Sequence, residues 1–308
     1  MTRNTLALVL CLTLLLAGCG NSPDVTTAPP TNSPPPLDAA PATATQAPPT
    51  PTEIPPTTPP EPSLPPLAPD PQRIEFQAED GAVLVGYYYP AAVNPAPLVV
   101  LMHWAGGDQT DWVYVGLAAW LQNRGAQVPA PPESKFFDTP YPFPSLPAEH
   151  SYAVFTFDFR GYGESSGSGD QAKHILDARA AYAVAAGLEG VDPARIVGIG
   201  ASIGADAVAD ACADNCIAAL SLGPGNYLDM AYANAVSAME GQSKPAWCVA
   251  TEENEIDLVT CNSASGNHYT RQIYPAGGHA MRLFRAEIGL DPPIETVILD
   301  FLDQAFGS

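Results

Sequence analysis

Basic residues are scarce in this chain. Twelve Lys and Arg stand against 33 Asp and Glu in 308 residues, a formal net charge of −21. An acidic surface repels phosphate backbones, which argues against nucleic acid as a partner and leaves no basic patch to hold the protein at an anionic membrane. A run long enough to cross a bilayer is missing from the N-terminus, because the stretch Leu6 to Ala17 falls short of the about 20 apolar residues a spanning helix needs. Closely spaced cysteines are missing as well. No Cys-x-x-Cys occurs and no His sits beside a cysteine pair, so a zinc site is disfavoured and no metal is expected.

What is present at the N-terminus reads as an export signal. Met1-Thr2-Arg3-Asn4 precedes the apolar run, which stops at Leu16-Ala17-Gly18-Cys19. The small-small-Cys ending resembles a bacterial lipobox. That resemblance implies cleavage of residues 1–18, a diacylglycerol on Cys19, and residence on the outer face of the cell membrane. From Gly20 to Pro71, Pro, Thr, Ala and Ser dominate, Lys and Arg are absent, and large apolar residues are few. Such a segment cannot bury enough surface to offset its ordering entropy. Residues 19–71 are therefore expected to form an extended linker at roughly 3 Å per residue, holding a domain away from a membrane. Cys11 lies in the signal; Cys212, Cys216, Cys248 and Cys261 remain in the domain. In an oxidising compartment four thiols allow three pairings, and proximity favours Cys212–Cys216 and Cys248–Cys261.

Residues 72–308 are the right length for one α/β domain with a full core. Arg73–Gln77 alternates in polarity, then Glu79-Asp80-Gly81 signals a hairpin into a strand at Val83–Tyr89. Leu98–Met102 is continuously apolar, as in a strand buried on both faces. One helix is expected from Asp111 to about Arg124, with Trp112, Val115, Leu117 and Leu121 inward. Gln127 to Glu149 reads as an irregular insertion that shapes the substrate pocket together with loops near Tyr227 and Tyr232. The aromatic side chains of Phe136, Phe137, Tyr141 and Phe143 either line that pocket or pack the insertion down. Strands follow at Tyr152–Asp158, Arg195–Ile199, Ile217–Leu222, Ala246–Ala250 and Tyr269–Pro275. Helices are expected at Ala172–Ala186, Ile203–Ala213 and Ile294–Phe306. Alternating strands and helices imply a mostly parallel sheet of about eight strands covered on both faces.

The stretch Gly200-Ala201-Ser202-Ile203-Gly204 lies where a predicted strand meets a predicted helix. A Cβ at either glycine would crowd the neighbouring chain, so the turn is tight and thrusts the serine hydroxyl out of the sheet. The N–H of Ile203 then stands at a helix N-terminus, suited to a developing oxyanion. Serine needs a base, and a neutral imidazole held by a carboxylate is the usual one. His279, in Gly277-Gly278-His279 just past a predicted strand, fits that role. His150, His174 and His268 lack such a setting and read as surface residues.

The domain resembles the α/β-hydrolases, of the dienelactone-hydrolase-like or carboxylesterase-like sort. Four stretches carry the resemblance, in family order: His103-Trp104-Ala105-Gly106-Gly107, Asp158-Phe159-Arg160-Gly161-Tyr162-Gly163-Glu164-Ser165, Gly200–Gly204 and Gly278-His279. The resemblance implies an oxyanion hole from the N–H of Ile203 and that of Ala105, with Trp104 the alternative for the second. It also implies that His103 braces the loop, and that Asp158 and Arg160 pin the glycine loop rather than touch substrate. The acid departs from pattern. Where the family places it, Thr251-Glu252-Glu253-Asn254-Glu255-Ile256-Asp257 offers Asn254 in register, and an amide cannot stabilise an imidazolium by charge. Glu253 is taken as the acid, with Glu252, Glu255, Asn254 or Asp229 as alternatives.

The expectation is a membrane-tethered, monomeric serine hydrolase. Ser202, His279 and Glu253 cleave a small ester or related acyl bond, with no cofactor required. A non-catalytic binding lipoprotein on the same fold is the alternative.

Overall fold

The computed structural model describes residues 64–125, 134 and 136–307. The expected signal, Cys19 and most of the linker lie outside the described residues, as do residues 126–133 of the insertion. The end of the Pro-rich tract is docked on the domain, earlier than the boundary expected at residue 72. Leu64 N–H donates to the Asn94 carbonyl (3.0 Å), Asn94 Nδ2 to the Pro65 carbonyl (3.0 Å), and Gln122 Nε2 to the Pro69 carbonyl (2.9 Å). Proline lacks an N–H but keeps its acceptor, so side-chain amides can still fasten the tract, and Arg124 Nη1 donates to the Leu67 carbonyl (2.6 Å).

Eight strands form a single sheet in the order β1-β2-β4-β3-β5-β6-β7-β8. They span β1 Gln72–Gln77, β2 Val83–Tyr89, β3 Ala96–Met102, β4 Ala153–Phe157, β5 Val191–Ala201, β6 Ala218–Leu222, β7 Ala246–Thr251 and β8 Tyr269–Tyr274. β2 runs antiparallel to both β1 and β4, and every other pairing is parallel. This is the mostly parallel sheet flanked by helices that the alternation of elements predicts, and the architecture that the resemblance to the α/β-hydrolases implies.

Along β3 every residue is buried, and the faces alternate. Leu98, Val100 and Met102 join one core; Val99 and Leu101 join the other. The period of two sends successive side chains to opposite layers, and each buried Val or Leu contributes roughly 2 kcal/mol. On the first face pack α3 (His174–Ala185), α4 (Ile203–Asp210), α5 (Tyr232–Glu240) and α6 (Glu255–Ser263). On the second pack α1 (Thr110–Tyr114), α2 (Leu117–Gln122) and α7 (Ile294–Phe306).

One local expectation is corrected, and one helix is added. The single helix from Asp111 is two, broken at Gly116, whose φ of 89° is left-handed and ends the first helical path. Trp112, Val115, Leu117 and Leu121 still face inward, all fully buried. Between β7 and β8, where the sequence reading places no element, Glu255–Ser263 forms helix α6. Asn254 caps it, its side-chain oxygen accepting from the N–H groups of Ile256 (3.1 Å) and Asp257 (3.2 Å). Disulfides join Cys212 to Cys216 and Cys248 to Cys261, the pairing that proximity favoured.

Candidate active site

β5 ends at Ala201, and α4 begins at Ile203, so the chain must reverse within one residue. Ser202 takes that turn with φ 55° and ψ −116°, a conformation L-residues rarely adopt. The flanking glycines are required by contact. A Cβ on Gly200 would stand 2.0 Å from the Gly204 carbonyl oxygen, and one on Gly204 would stand 2.2 Å from that of Met102. The second contact also sets the distance between α4 and the loop that follows β3.

The hydroxyl so presented meets an imidazole. Ser202 Oγ lies 2.8 Å from His279 Nε2. His279 Nδ1 lies 2.8 Å and 3.0 Å from the two carboxylate oxygens of Asp257. A carboxylate only accepts, so Nδ1 carries the proton, and Nε2 accepts from the serine O–H. His279 follows β8 on a loop in which Gly277 and Gly278 both have positive φ. Thr251 Oγ1 at the end of β7 donates to the Gly278 carbonyl (3.2 Å), holding that loop against the sheet.

The carboxylate on His279 is Asp257, not Glu253. Glu253 Oε2 instead accepts from the N–H groups of Gly277 (3.2 Å) and Gly278 (3.3 Å), fastening the histidine loop from its backbone. Glu252, Glu253 and Glu255 are exposed, Asn254 is the helix cap, and Asp229 is exposed on the loop after β6. Asp257 is 1% exposed. The physical reason is helical phase. The first turn of α6 swings the third residue after its cap back toward the sheet, while the acidic residues before it project into solvent. A signal was available: Asn254 before Glu255-Ile256-Asp257 is a cap pattern, and Asp257 and Cys261 share a face at a four-residue spacing. Beneath the pair runs the loop after β6. A Cβ on Gly223 would come within 2.8 Å of Asp257 Oδ2 and 3.0 Å of His279 Nδ1.

Ile203 is the first residue of α4, where N–H groups lack intrahelical partners and the helix dipole favours negative charge. Ala105 lies exposed on the loop after β3. That loop is braced by His103, fully buried. Its Nδ1 lies 2.7 Å from the Trp104 carbonyl, and its Nε2 accepts from the Phe159 N–H at 3.0 Å. Burial pushes the His103 pKa down to about 4, so the ring is neutral. Asp158 accepts from the N–H groups of Gln109 and Glu164 (both 2.9 Å), and burial lifts its pKa to about 6. Arg160 is clamped by Asp177 (2.7 Å) and Asp80 (2.6 Å). Both side chains are thus engaged within the protein, in the loop-pinning role expected of them.

A cavity of about 420 Å³ opens beside Ala105, between the loop after β3 and Gly161–Gly163, with Phe136 and Tyr162 on its walls. Ser202 and His279 are not among its lining residues. The other aromatic residues of the insertion pack it down. Phe137 is buried, Phe143 stacks on Trp120 (4.6 Å), and Tyr141 donates to Glu295 (2.6 Å). Tyr232 is fully buried in α5 and cannot line a pocket, whereas the ring of Tyr227 stands edge-on to His279 at 6.3 Å. Its loop is fixed by the buried Asp206 of α4, which accepts from the N–H groups of Gly225 (3.2 Å) and Tyr227. His174 is not a surface residue: at 1% exposed it packs on Phe159 and Tyr162. His150 and His268 are partly exposed.

The fold is that of the α/β-hydrolases. An esterase of Pyrococcus furiosus, Pf2001, superposes with a TM-score of 0.55 at 15% identity, over 77% of this chain and 91% of that one. The α/β hydrolase GrgF from Penicillium sp. sh18 superposes with a TM-score of 0.55 at 16% identity, over 78% of this chain and all of that one. By sequence the chain is similar to the uncharacterized protein YfhR of Escherichia coli, 29% identical over 140 residues. That match spans 44% of this chain and 40% of the relative's length. No family model matches the chain.

Proposed function

We propose that this protein is a serine hydrolase that cleaves a small ester or related acyl bond. One observation carries the reading: Ser202 Oγ, His279 and the Asp257 carboxylate form an unbroken hydrogen-bonded chain at the N-terminus of α4. In this reading Ser202 Oγ attacks the substrate carbonyl as its proton passes to His279 Nε2. Asp257 stabilises the imidazolium across Nδ1. The carbonyl oxygen, now negative, is received by the N–H groups of Ile203 and Ala105. The tetrahedral intermediate collapses as His279 gives its proton to the leaving oxygen, and an acyl-Ser202 ester remains. Water, deprotonated by the same imidazole, then releases the acid. The cavity beside Ala105 would accept one substituent of the substrate, with Phe136 and Tyr162 as its apolar walls.

The proposed setting is the outer face of a cell membrane, with the domain tethered through Cys19 and the Pro-rich tract. The lipobox-like ending of the N-terminal run supports this, and the acidic composition suits a domain that does not itself adhere to anionic lipid.

A fluorophosphonate probe and a series of p-nitrophenyl esters test the chemistry. The wild-type protein should label at Ser202 and turn over the shorter esters, and Ser202→Ala should lose both, with turnover falling about 10⁴-fold or more. Folded wild-type protein that neither labels nor hydrolyses any ester would instead make this a binding module on a hydrolase scaffold.

A further inference from the structure

We infer that the Cys248–Cys261 disulfide is a positioning element for the triad carboxylate, an inference that rests on the hydrolase reading above. Asp257 does not sit on the strand end itself. It rides on α6, a nine-residue helix, and helices of that length have little stability of their own in water. The outer side of α6 gains little from packing, since Ile256 and Val259 are 55% and 59% exposed. The inner side carries Asp257, Thr260 and Cys261, all buried. Asp257 and Cys261 are four residues apart, so they lie one above the other on the same face.

Cys261 is bonded to Cys248 on β7, a fully buried strand position paired with Ser221 of β6 and Arg271 of β8. One helical turn beyond the carboxylate, α6 is therefore bonded to the middle of β7, the strand beside edge strand β8. At its other end the Asn254 cap fixes where the helix begins. Two weaker ties help: Tyr269 Oη donates to the Cys261 carbonyl (2.8 Å), and Asn226 Nδ2 to Thr260 Oγ1 (3.3 Å). With both ends anchored, rotation or sliding of α6 is restrained, and the 2.8 Å approach of Asp257 to His279 Nδ1 is maintained. The other disulfide offers a contrast. Cys212–Cys216 closes a four-residue separation just past α4 and touches no member of the triad.

Cys248→Ala/Cys261→Ala is the informative variant and Cys212→Ala/Cys216→Ala its control. For each, kcat and KM are measured on a p-nitrophenyl ester, and the downfield proton resonance of His279 Nδ1–H is recorded, assigned by its loss in Asp257→Asn. A displacement of the order of 1 Å at a catalytic group can cost up to about 100-fold in rate. The folded Cys248→Ala/Cys261→Ala protein should lose about 10-fold in kcat with KM little changed, and its Nδ1–H resonance should broaden or vanish; the control should keep both. In an Asp257→Asn background, removing the same disulfide should cost nothing further, because its effect runs through Asp257. Should the alanine pair not fold, Cys248→Val/Cys261→Ala, which refills the buried volume, decides the same question. An unchanged kcat with the resonance intact overturns the inference. So does an equal loss in the control, or an undiminished loss in the Asp257→Asn background. Wild-type protein without turnover or labelling would sink the hydrolase reading instead, and the resonance alone would then still decide whether the disulfide holds Asp257 on His279.

Discussion

Two imidazoles in this domain have the same tautomer and opposite surroundings. His103 and His279 each carry a proton on Nδ1 and accept at Nε2. At His103 the Nδ1 partner is a neutral carbonyl, and the donor to Nε2 is the amide of Phe159, which does not give up its proton. At His279 the Nδ1 partner is a carboxylate, and the donor is a serine hydroxyl. His103 is sealed from solvent, while the His279 side chain is 24% exposed. A ring can act as a base only if the proton offered to it can move and the resulting cation has a counter-charge. His103 has neither, and its depressed pKa of about 4 keeps it a neutral brace. The difference is made entirely by the partners, which is why a residue type alone does not identify a catalytic group.

The largest expected effect breaks the contrast by making His279 resemble His103. Asp257→Asn replaces the counter-charge with an amide, and kcat should fall by about 10⁴-fold, as in the serine-protease triad where that change has been worked out. Steady-state kinetics on a p-nitrophenyl ester checks this; activity within 10-fold of wild type would remove Asp257 from the chemistry.

A smaller effect sharpens the contrast from the other side. The folded-state pKa of His103 lies below its unfolded value of about 6.5. The stability carried by its neutral ring is therefore fully present above pH 6.5 and lost as the pH falls toward 4, to the extent of about 3 kcal/mol. Urea midpoints measured across that window should fall more steeply for wild type than for His103→Gln, which has no proton to take up. Parallel slopes would show that the ring ionises freely.

Smallest of all is Glu253→Gln. The amide oxygen can still accept from Gly277 and Gly278, so kcat should change less than about 10-fold. A loss matching that of Asp257→Asn would restore Glu253 as the partner of His279.

The serine turn and the acid were unequally legible in the sequence, for a reason found in particular residues. Gly200 and Gly204 announce the turn because their constraint is local: the clashes a Cβ would make lie within the strand–turn–helix unit and the strand beside it. His279 is nearly as plain, because Gly277 and Gly278 free the loop that carries it. Asp257 was hidden beside three other acids and an amide, Glu252, Glu253, Glu255 and Asn254. Composition there suggests a solvated loop, and only the phase of α6, set by the Asn254 cap and the bond from Cys261 to the sheet, singles out one carboxylate as buried. His174 was misjudged for a related reason. It begins α3 under the glycine loop, and its burial comes from Phe159 and Tyr162, which are distant from it along the chain.

What the sequence determined by itself was whatever depends on short-range sterics and on periodicity: the alternating strands and helices, the two-sided burial of β3, the turn at Ser202 and the glycine-loosened histidine. The tertiary structure alone decided which carboxylate meets the imidazole, which histidine is sealed, and where residues 64–71, the end of the Pro-rich tract, rest on the domain. Those outcomes depend on distances between segments far apart in the chain, and such distances are fixed only when the helices settle onto the sheet.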